Sequence, residues 1–67
     1  MRIHIVTHRD YVDCVGVGRI LSTARKALLE DLIRCHPLDH AEVPFTLKEL
    51  TQECTIFVRN VDEAGYL

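Results

Sequence analysis

The 67-residue chain has no tryptophan, few glycines and prolines, and no excess of basic residues. Eight Lys and Arg residues stand against ten Asp and Glu residues, which gives a formal net charge of −2 at pH 7. Proteins that bind the phosphate backbone of duplex nucleic acid normally carry a basic excess, because each contact neutralises a phosphate. The composition therefore argues against a protein that uses duplex nucleic acid as a scaffold.

The sequence also lacks an apolar run long enough to span a bilayer, and its N-terminus lacks the segments of a secretory signal. Its three cysteines, Cys14, Cys35 and Cys54, are odd in number and widely spaced. Such cysteines are typical of reduced thiols rather than of a disulfide framework. We therefore expect an unprocessed cytoplasmic protein without a membrane partner.

The length leaves room for one small domain, residues 1–67. Such a domain buries only about 60% of the surface that its unfolded chain exposes, which makes its stability marginal. A metal ion, a second copy of the chain or another protein would add stability. We therefore expect a homodimer or a complex with a larger protein partner.

Two segments have the length and the β-branched composition of strands, residues 2–7 and 55–61. Both contain consecutive apolar residues, such as Ile5–Val6, where a half-buried strand would alternate. Continuous apolar strands are typical of parallel sheets that are covered on both faces. Residues 39–43 form either a third strand at the sheet edge or an extended connection.

A long amphipathic helix is predicted over residues 14–35, because apolar residues recur at spacings of three and four from Leu21 onward. The Asp13 carboxylate would cap its first turn, and the His36–Pro37 step would end it, since a residue before proline avoids the α conformation.

A second helix is predicted over residues 47–53, where Thr46 and Glu49 form a capping box. Phe45 and Leu50 are placed as its hydrophobic staple. Together these elements predict an α/β domain, with a small two- or three-stranded parallel sheet flanked by helices and joined by right-handed crossovers.

Polar side chains follow the two predicted strands. His8, Asp10 and Asp13 follow the first strand, and Asp62 follows the last. Ligands bind beyond the carboxyl ends of strands in open parallel sheets. Carboxylate and imidazole ligands suit Mn²⁺ or Mg²⁺, which clamp phosphoryl oxygens and activate water. The alternative is structural, with Asp13 as a cap and Asp10 in a turn, and spacing alone favours it.

The segment from His8 to Gly16 resembles the first motif of the DHH phosphoesterase family. In that motif a strand ends in His, and Asn-Pro-Asp-x-Asp follows before a long helix. The resemblance implies that His8 and Asp13 are metal ligands, that Asp10 substitutes for the other acid, and that Gly16 lets the helix approach the site.

Residues 54–62 are similar to the second motif of the same family, a strand that delivers a ligand Asp, here Asp62. Three features depart from the family pattern. The first motif is one residue short with Tyr11–Val12 in place of Pro-Asp, Asp62 falls late after its strand, and the sequence has no Asp-His-His motif. We therefore do not expect hydrolase activity from this chain alone, and we assign no catalytic residue.

Two function classes follow. The first is a metal-binding, phosphoester-directed domain, a truncated or degenerate DHH relative, in which His8, Asp10, Asp13 and Asp62 hold Mn²⁺ or Mg²⁺ and Arg9 or Arg59 meets a phosphate. The second is a small non-enzymatic interaction or inhibitor protein of the viral or phage type. It would dock on a larger protein through a sheet edge or a helix face.

Two weaker signals have structural interpretations. Cys35, His36 and His40 offer soft donors within six residues, but no pair-of-pairs zinc spacing occurs, and an ordinary helix end is favoured. Gly16 and Gly18 would admit either an anion or a closely packed helix, and we favour the packing.

Overall fold

The computed structural model describes residues 1–60, which form three strands and three helices. In chain order these are β1 (Arg2–His8), β2 (Val15–Gly18), α1 (Leu21–Cys35), α2 (Pro37–Glu42), α3 (Leu47–Gln52) and β3 (Cys54–Asn60). Within these residues no helix combines the length and the apolar character needed to cross a membrane.

The sheet is antiparallel, with strand order β2-β1-β3, and the predicted parallel sheet is wrong. In the register, Val6 of the central strand lies between Gly16 of β2 and Ile56 of β3. The unpredicted β2 is the reason, because it returns the chain to the start of β1, and α1 then leads back to the end of β1, so β3 begins there with Cys54 opposite His8 and runs antiparallel to β1. The continuous apolar runs that suggested parallel strands arise because both faces of this sheet carry apolar side chains, although α1 packs against one face only.

The predicted start of the long helix is also wrong. Residues 15–18 form β2, and α1 begins at Leu21 after Ile20, which gives no side-chain cap. Asp13 therefore lies well before the helix and does not cap it. The predicted end is confirmed, because α1 stops at Cys35, immediately before His36 and Pro37.

Residues 39–43 are neither a strand nor an extended connection, since α2 spans Pro37–Glu42. Pro37 occupies the first turn of α2, where its missing amide hydrogen costs nothing and its fixed φ angle favours the helix. The predicted helix over residues 47–53 is confirmed as α3, and one half of its capping box forms, while the Glu49 carboxylate contacts His8 instead of closing the other half. The Glu49 amide donates to Thr46 Oγ1 at 3.2 Å.

The core lies between the sheet and the helices. Its buried residues are Val6, Cys14, Ala24, Leu28, Leu32, Phe45 and Leu50. β2 contributes no side chain to it, because Gly16 and Gly18 face α1. A Cβ atom on Gly16 would overlap backbone atoms of Ala24 and Leu28, so this glycine allows close contact between strand and helix. The favoured packing interpretation of the two glycines is confirmed.

Candidate functional site

A cleft of about 460 Å³ opens where β1 ends. Five carboxylates and two aromatic rings make up most of its lining, which comprises His8, Asp10, Tyr11, Asp39, Glu42, Val43, Phe45, Glu49 and Glu53. The cleft is therefore strongly acidic.

His8 forms the floor of the cleft and is only 3% exposed. Its Nε2 lies 3.0 Å from Glu49 Oε2, and its Nδ1 accepts a hydrogen bond from the Asp10 amide at 3.0 Å. Because a backbone amide can only donate, Nδ1 carries no proton, and the ring proton is on Nε2 and faces Glu49. Both nitrogens of the predicted metal ligand His8 therefore have protein partners.

Tyr11 separates this cleft from a second cluster of polar side chains. Its ring centroid lies 5.1 Å from that of His8 and 4.7 Å from that of His36. Its hydroxyl donates to Asp39 Oδ2 at 3.2 Å. Desolvation, followed by the hydrogen bond and the charge of Asp39, raises the pKa of Tyr11, so the phenol keeps its proton.

The second cluster lies beyond Tyr11 and joins the loop before β2 to the C-terminal end of α1. Two groups of metal-ligating side chains meet there, and both contain Cys14. One is Asp13, Cys14 and His36, and the other is Cys14, Asp31 and Cys35. Within each group the ligand atoms lie within 4.8 Å of one another. We call these five residues the Cys14 cluster.

Hydrogen bonds order the Cys14 cluster. His36 Nε2 lies 3.2 Å from Asp13 Oδ2, and the Asp31 carboxylate accepts from the Val15 amide at 3.2 Å. Asp31 also pairs with Arg34, which is the main reason that its pKa is lowered. Burial is the main cause that raises the pKa of the Cys14 thiol, to about 12.

The structure separates the predicted site residues. His8 and Asp10 line the acidic cleft, whereas Asp13 belongs to the Cys14 cluster. Arg9 donates its amide to the Glu53 carbonyl at 2.9 Å, and Arg59 lies in β3 opposite Ile3. Asp62 lies outside the described residues.

Each site depends on one residue that the sequence does not single out. Glu49 is predicted as half of a capping box, yet its carboxylate also contacts His8. Cys14 is predicted in a helix, yet it lies in a loop, where its sulfur is close to donors of Cys35 and His36. The adjacent donors Cys35–His36 are the sequence signal for the Cys14 cluster. Cys14 lies too far before them in the sequence to complete a recognised zinc-ligand spacing.

The sheet face turned away from α1 is a further feature of the surface. Paired residues of neighbouring strands share a face, so this face carries Ile3, Ile5, Thr7, Val15, Val17, Thr55, Phe57 and Arg59. We call it the open face. Val15, Val17 and Phe57 are 45%, 49% and 43% exposed. An uncovered face of an antiparallel sheet is normally polar, whereas five of the eight residues on this face are apolar.

Comparisons of the chain with protein-family models, with curated proteins and with solved structures find no match. The DHH resemblance thus stays a prediction, as do the Mn²⁺ or Mg²⁺ site and the phosphoester-directed activity that it implies.

Proposed function

We propose that the protein is a small interaction domain that pairs with a second copy of itself through the open face. Its main support is the chemistry of that face, where Val17, Ile5 and Phe57 lie side by side across the three strands. Burying exposed apolar surface is the main favourable term in protein association, at about 25 cal/mol per Å². Large apolar patches on soluble domains mark interaction sites.

A second copy is the partner that the charge distribution favours. A two-fold dimer uses the same patch on both subunits, so the patch must be complementary to itself. Arg59 is the one charged residue among the paired positions of the open face, and it lies at the opposite end from Thr7 and Thr55. A two-fold axis between the sheets and perpendicular to the strands would place Arg59 over the threonines of the other copy. Among these paired positions no like charges would meet.

This arrangement would also place the Val17–Ile5–Phe57 row over the same row of the second copy. Two sheets packed face to face lie about 10 Å apart, with side chains interdigitated between them. The result would be a four-layer particle with helices outside and two sheets inside. A small domain of marginal stability would gain from such a shared core.

The competing hypothesis, a metal-dependent phosphoesterase, has less geometric support. It needs His8, Asp10 and Asp13 around one ion, whereas His8 already contacts Glu49 and Asp10 through its two nitrogens. Asp13 contacts His36 on the other side of Tyr11. We therefore favour the interaction function.

Two adjacent residues of β3 give a matched test. Phe57 is on the open face and Ile56 is on the opposite face, and they are 43% and 41% exposed. We expect sedimentation equilibrium to give a dimer for the wild type and for Ile56→Lys, and a monomer for Phe57→Lys. Circular dichroism would check that each variant is folded.

Two results would overturn the proposal. One is a wild-type protein that stays monomeric up to millimolar concentration. The other is a dimer that Ile56→Lys disrupts and Phe57→Lys does not, which would indicate pairing through the other face. A protein that binds only a different partner would be monomeric on its own, and would therefore give the first of these results.

A further inference from the structure

The Cys14 cluster brings donors from separate parts of the chain to one place. Cys14 lies in the loop before β2, Asp31 and Cys35 lie on α1, and His36 follows the last residue of α1. Cys14 belongs to both groups of ligand atoms, so one ion at its sulfur could reach donors of either group. The cluster joins the loop to the helix.

We propose that the Cys14 cluster is a structural zinc site in which Asp13, Cys14 and His36 hold one Zn²⁺ ion and the Cys35 side chain, whose sulfur lies within 4.8 Å of that of Cys14, moves in as the fourth ligand. Two sulfurs, one imidazole nitrogen and one carboxylate oxygen make a four-ligand set of the kind that Zn²⁺ takes in tetrahedral sites. This inference does not depend on self-association through the open face, because none of the four ligands belongs to that face.

The donor chemistry selects the metal. Mg²⁺ and Mn²⁺ favour oxygen ligands, whereas thiolate sulfur favours Zn²⁺ and other soft ions. Two thiolates and one carboxylate carry three negative charges, which a divalent ion largely neutralises. The site therefore differs in metal, and in every ligand but Asp13, from the His8, Asp10, Asp13 and Asp62 site expected from the sequence.

Neighbouring groups already hold the donors in position. His36 Nε2 points toward Asp13, while its Nδ1 lies 3.9 Å from Asp39 Oδ2. A carboxylate on the far side of a ligand imidazole is a common feature of zinc sites, where a hydrogen bond to it fixes the ring, and Asp39 would make that bond after a small movement toward Nδ1. Asp31 pairs with Arg34 and accepts from the Val15 amide, so it secures β2 to α1 beside the site.

The test uses the purified, reduced protein after treatment with a chelator, with zinc chloride and cobalt chloride as probes. We expect one Zn²⁺ per chain by calorimetric titration. The Co²⁺ form should show sulfur-to-cobalt charge-transfer absorption and the intense visible bands of tetrahedral coordination. Excess Mg²⁺ should not displace either ion.

The variants keep Cys14, because its side chain is part of the core as well as of the cluster and a change there would alter packing and zinc binding together. Cys35→Ser and His36→Asn should each weaken zinc binding at least tenfold. Cys54→Ser and His40→Asn are the matched controls, because neither residue belongs to the cluster, and they should bind zinc as the wild type does. Absence of binding, a cobalt spectrum without sulfur charge transfer, or an equal loss in Cys54→Ser would overturn the proposal.

Discussion

Gly16 sets the separation between β2 and α1. Its missing side chain leaves room for the backbone of Ala24 and Leu28, and Gly18, two residues further along the strand, leaves room for the Ala24 backbone and the Thr23 side chain. The helix approaches Gly18 less closely than Gly16. A Cβ at Gly18 would lie 2.8 Å from the Ala24 nitrogen and 3.0 Å from the Thr23 side chain, whereas a Cβ at Gly16 would overlap backbone atoms of Ala24 and Leu28. Contact with rigid backbone is harder to relieve than contact with a side chain.

Gly16→Ala should therefore unfold or strongly destabilise the protein, by about 3 kcal/mol or more, because α1 would have to move away from the sheet. Gly18→Ala should cost less, since part of its contact is with the Thr23 side chain. Urea denaturation of the two variants measures the difference. Equal losses of stability would contradict the close approach at Gly16.

His8 should exist as the tautomer that carries its proton on Nε2, because the Asp10 amide donates to Nδ1. Long-range proton–nitrogen NMR correlations distinguish the two tautomers directly. Asp10→Ala serves as a control, since it keeps the backbone amide and should leave the tautomer unchanged. A proton on Nδ1 would be incompatible with the observed hydrogen bond.

The buried thiol of Cys14 should make stability fall at alkaline pH. Its pKa rises from 9.0 to about 12 on folding, so between these values the folded state holds a proton that the unfolded state has lost. The free energy of unfolding then decreases as pH rises through this window. Denaturation of the wild type and of Cys14→Ala at several pH values, both with chelator, should show a shallower decline for the variant; parallel profiles would refute this.

Among the elements, α3 depends most clearly on one short motif. Thr46 accepts from the Glu49 amide at the N-terminus, while Leu50 on the same helix is fully buried. The Glu49 side chain in turn reaches His8 at the end of β1. The position of α3 therefore affects the acidic cleft as well as the core.

Thr46→Ala should cost about 1 kcal/mol of stability, because it removes the acceptor for a free amide of the first turn. For a domain of this size the melting temperature should fall by roughly 4–8 °C. Thr51→Ala is the control, since its exposed hydroxyl donates only to the Lys48 carbonyl of the same helix and should change stability little. Similar losses of stability in both variants would show that the Thr46 cap does not stabilise the protein specifically.

The elements also differ in how far the sequence predicts them. α3 and the end of α1 are predictable because local chemistry decides them, through the capping box and through Pro37. β2 is not predictable, because Val15–Gly18 is short and because only the contacts with α1 in the folded protein explain its glycines. The Cys14 cluster was hidden for the same reason, since Cys14 and Cys35 meet only once β2 has formed.

For the whole molecule, the sheet divides the surface into a covered face and the open face. Strand direction could not be read from composition, because apolar residues on an uncovered face look the same in sequence as residues buried under a second helix layer. If two copies share the open face, association and folding are linked. The apparent stability then depends on the amount of protein present.

The melting temperature of the wild type should accordingly rise with protein concentration, whereas that of Phe57→Lys should not. Calorimetry over a wide concentration range tests this, with Val12→Lys as a control because Val12 is 86% exposed and lies in the loop before β2. A melting temperature that is constant for all three proteins would exclude linkage between folding and self-association.

The strand order has a consequence for synthesis on the ribosome. β1 is the central strand and is made first, but Ile56, which pairs with Val6, is added fifty residues later. Until β3 leaves the exit tunnel, β1 can pair only with the short β2, and one of its edges has unpaired backbone groups. Such an edge can join strands of other chains. The nascent protein is therefore most exposed to misassembly just before β3 is complete.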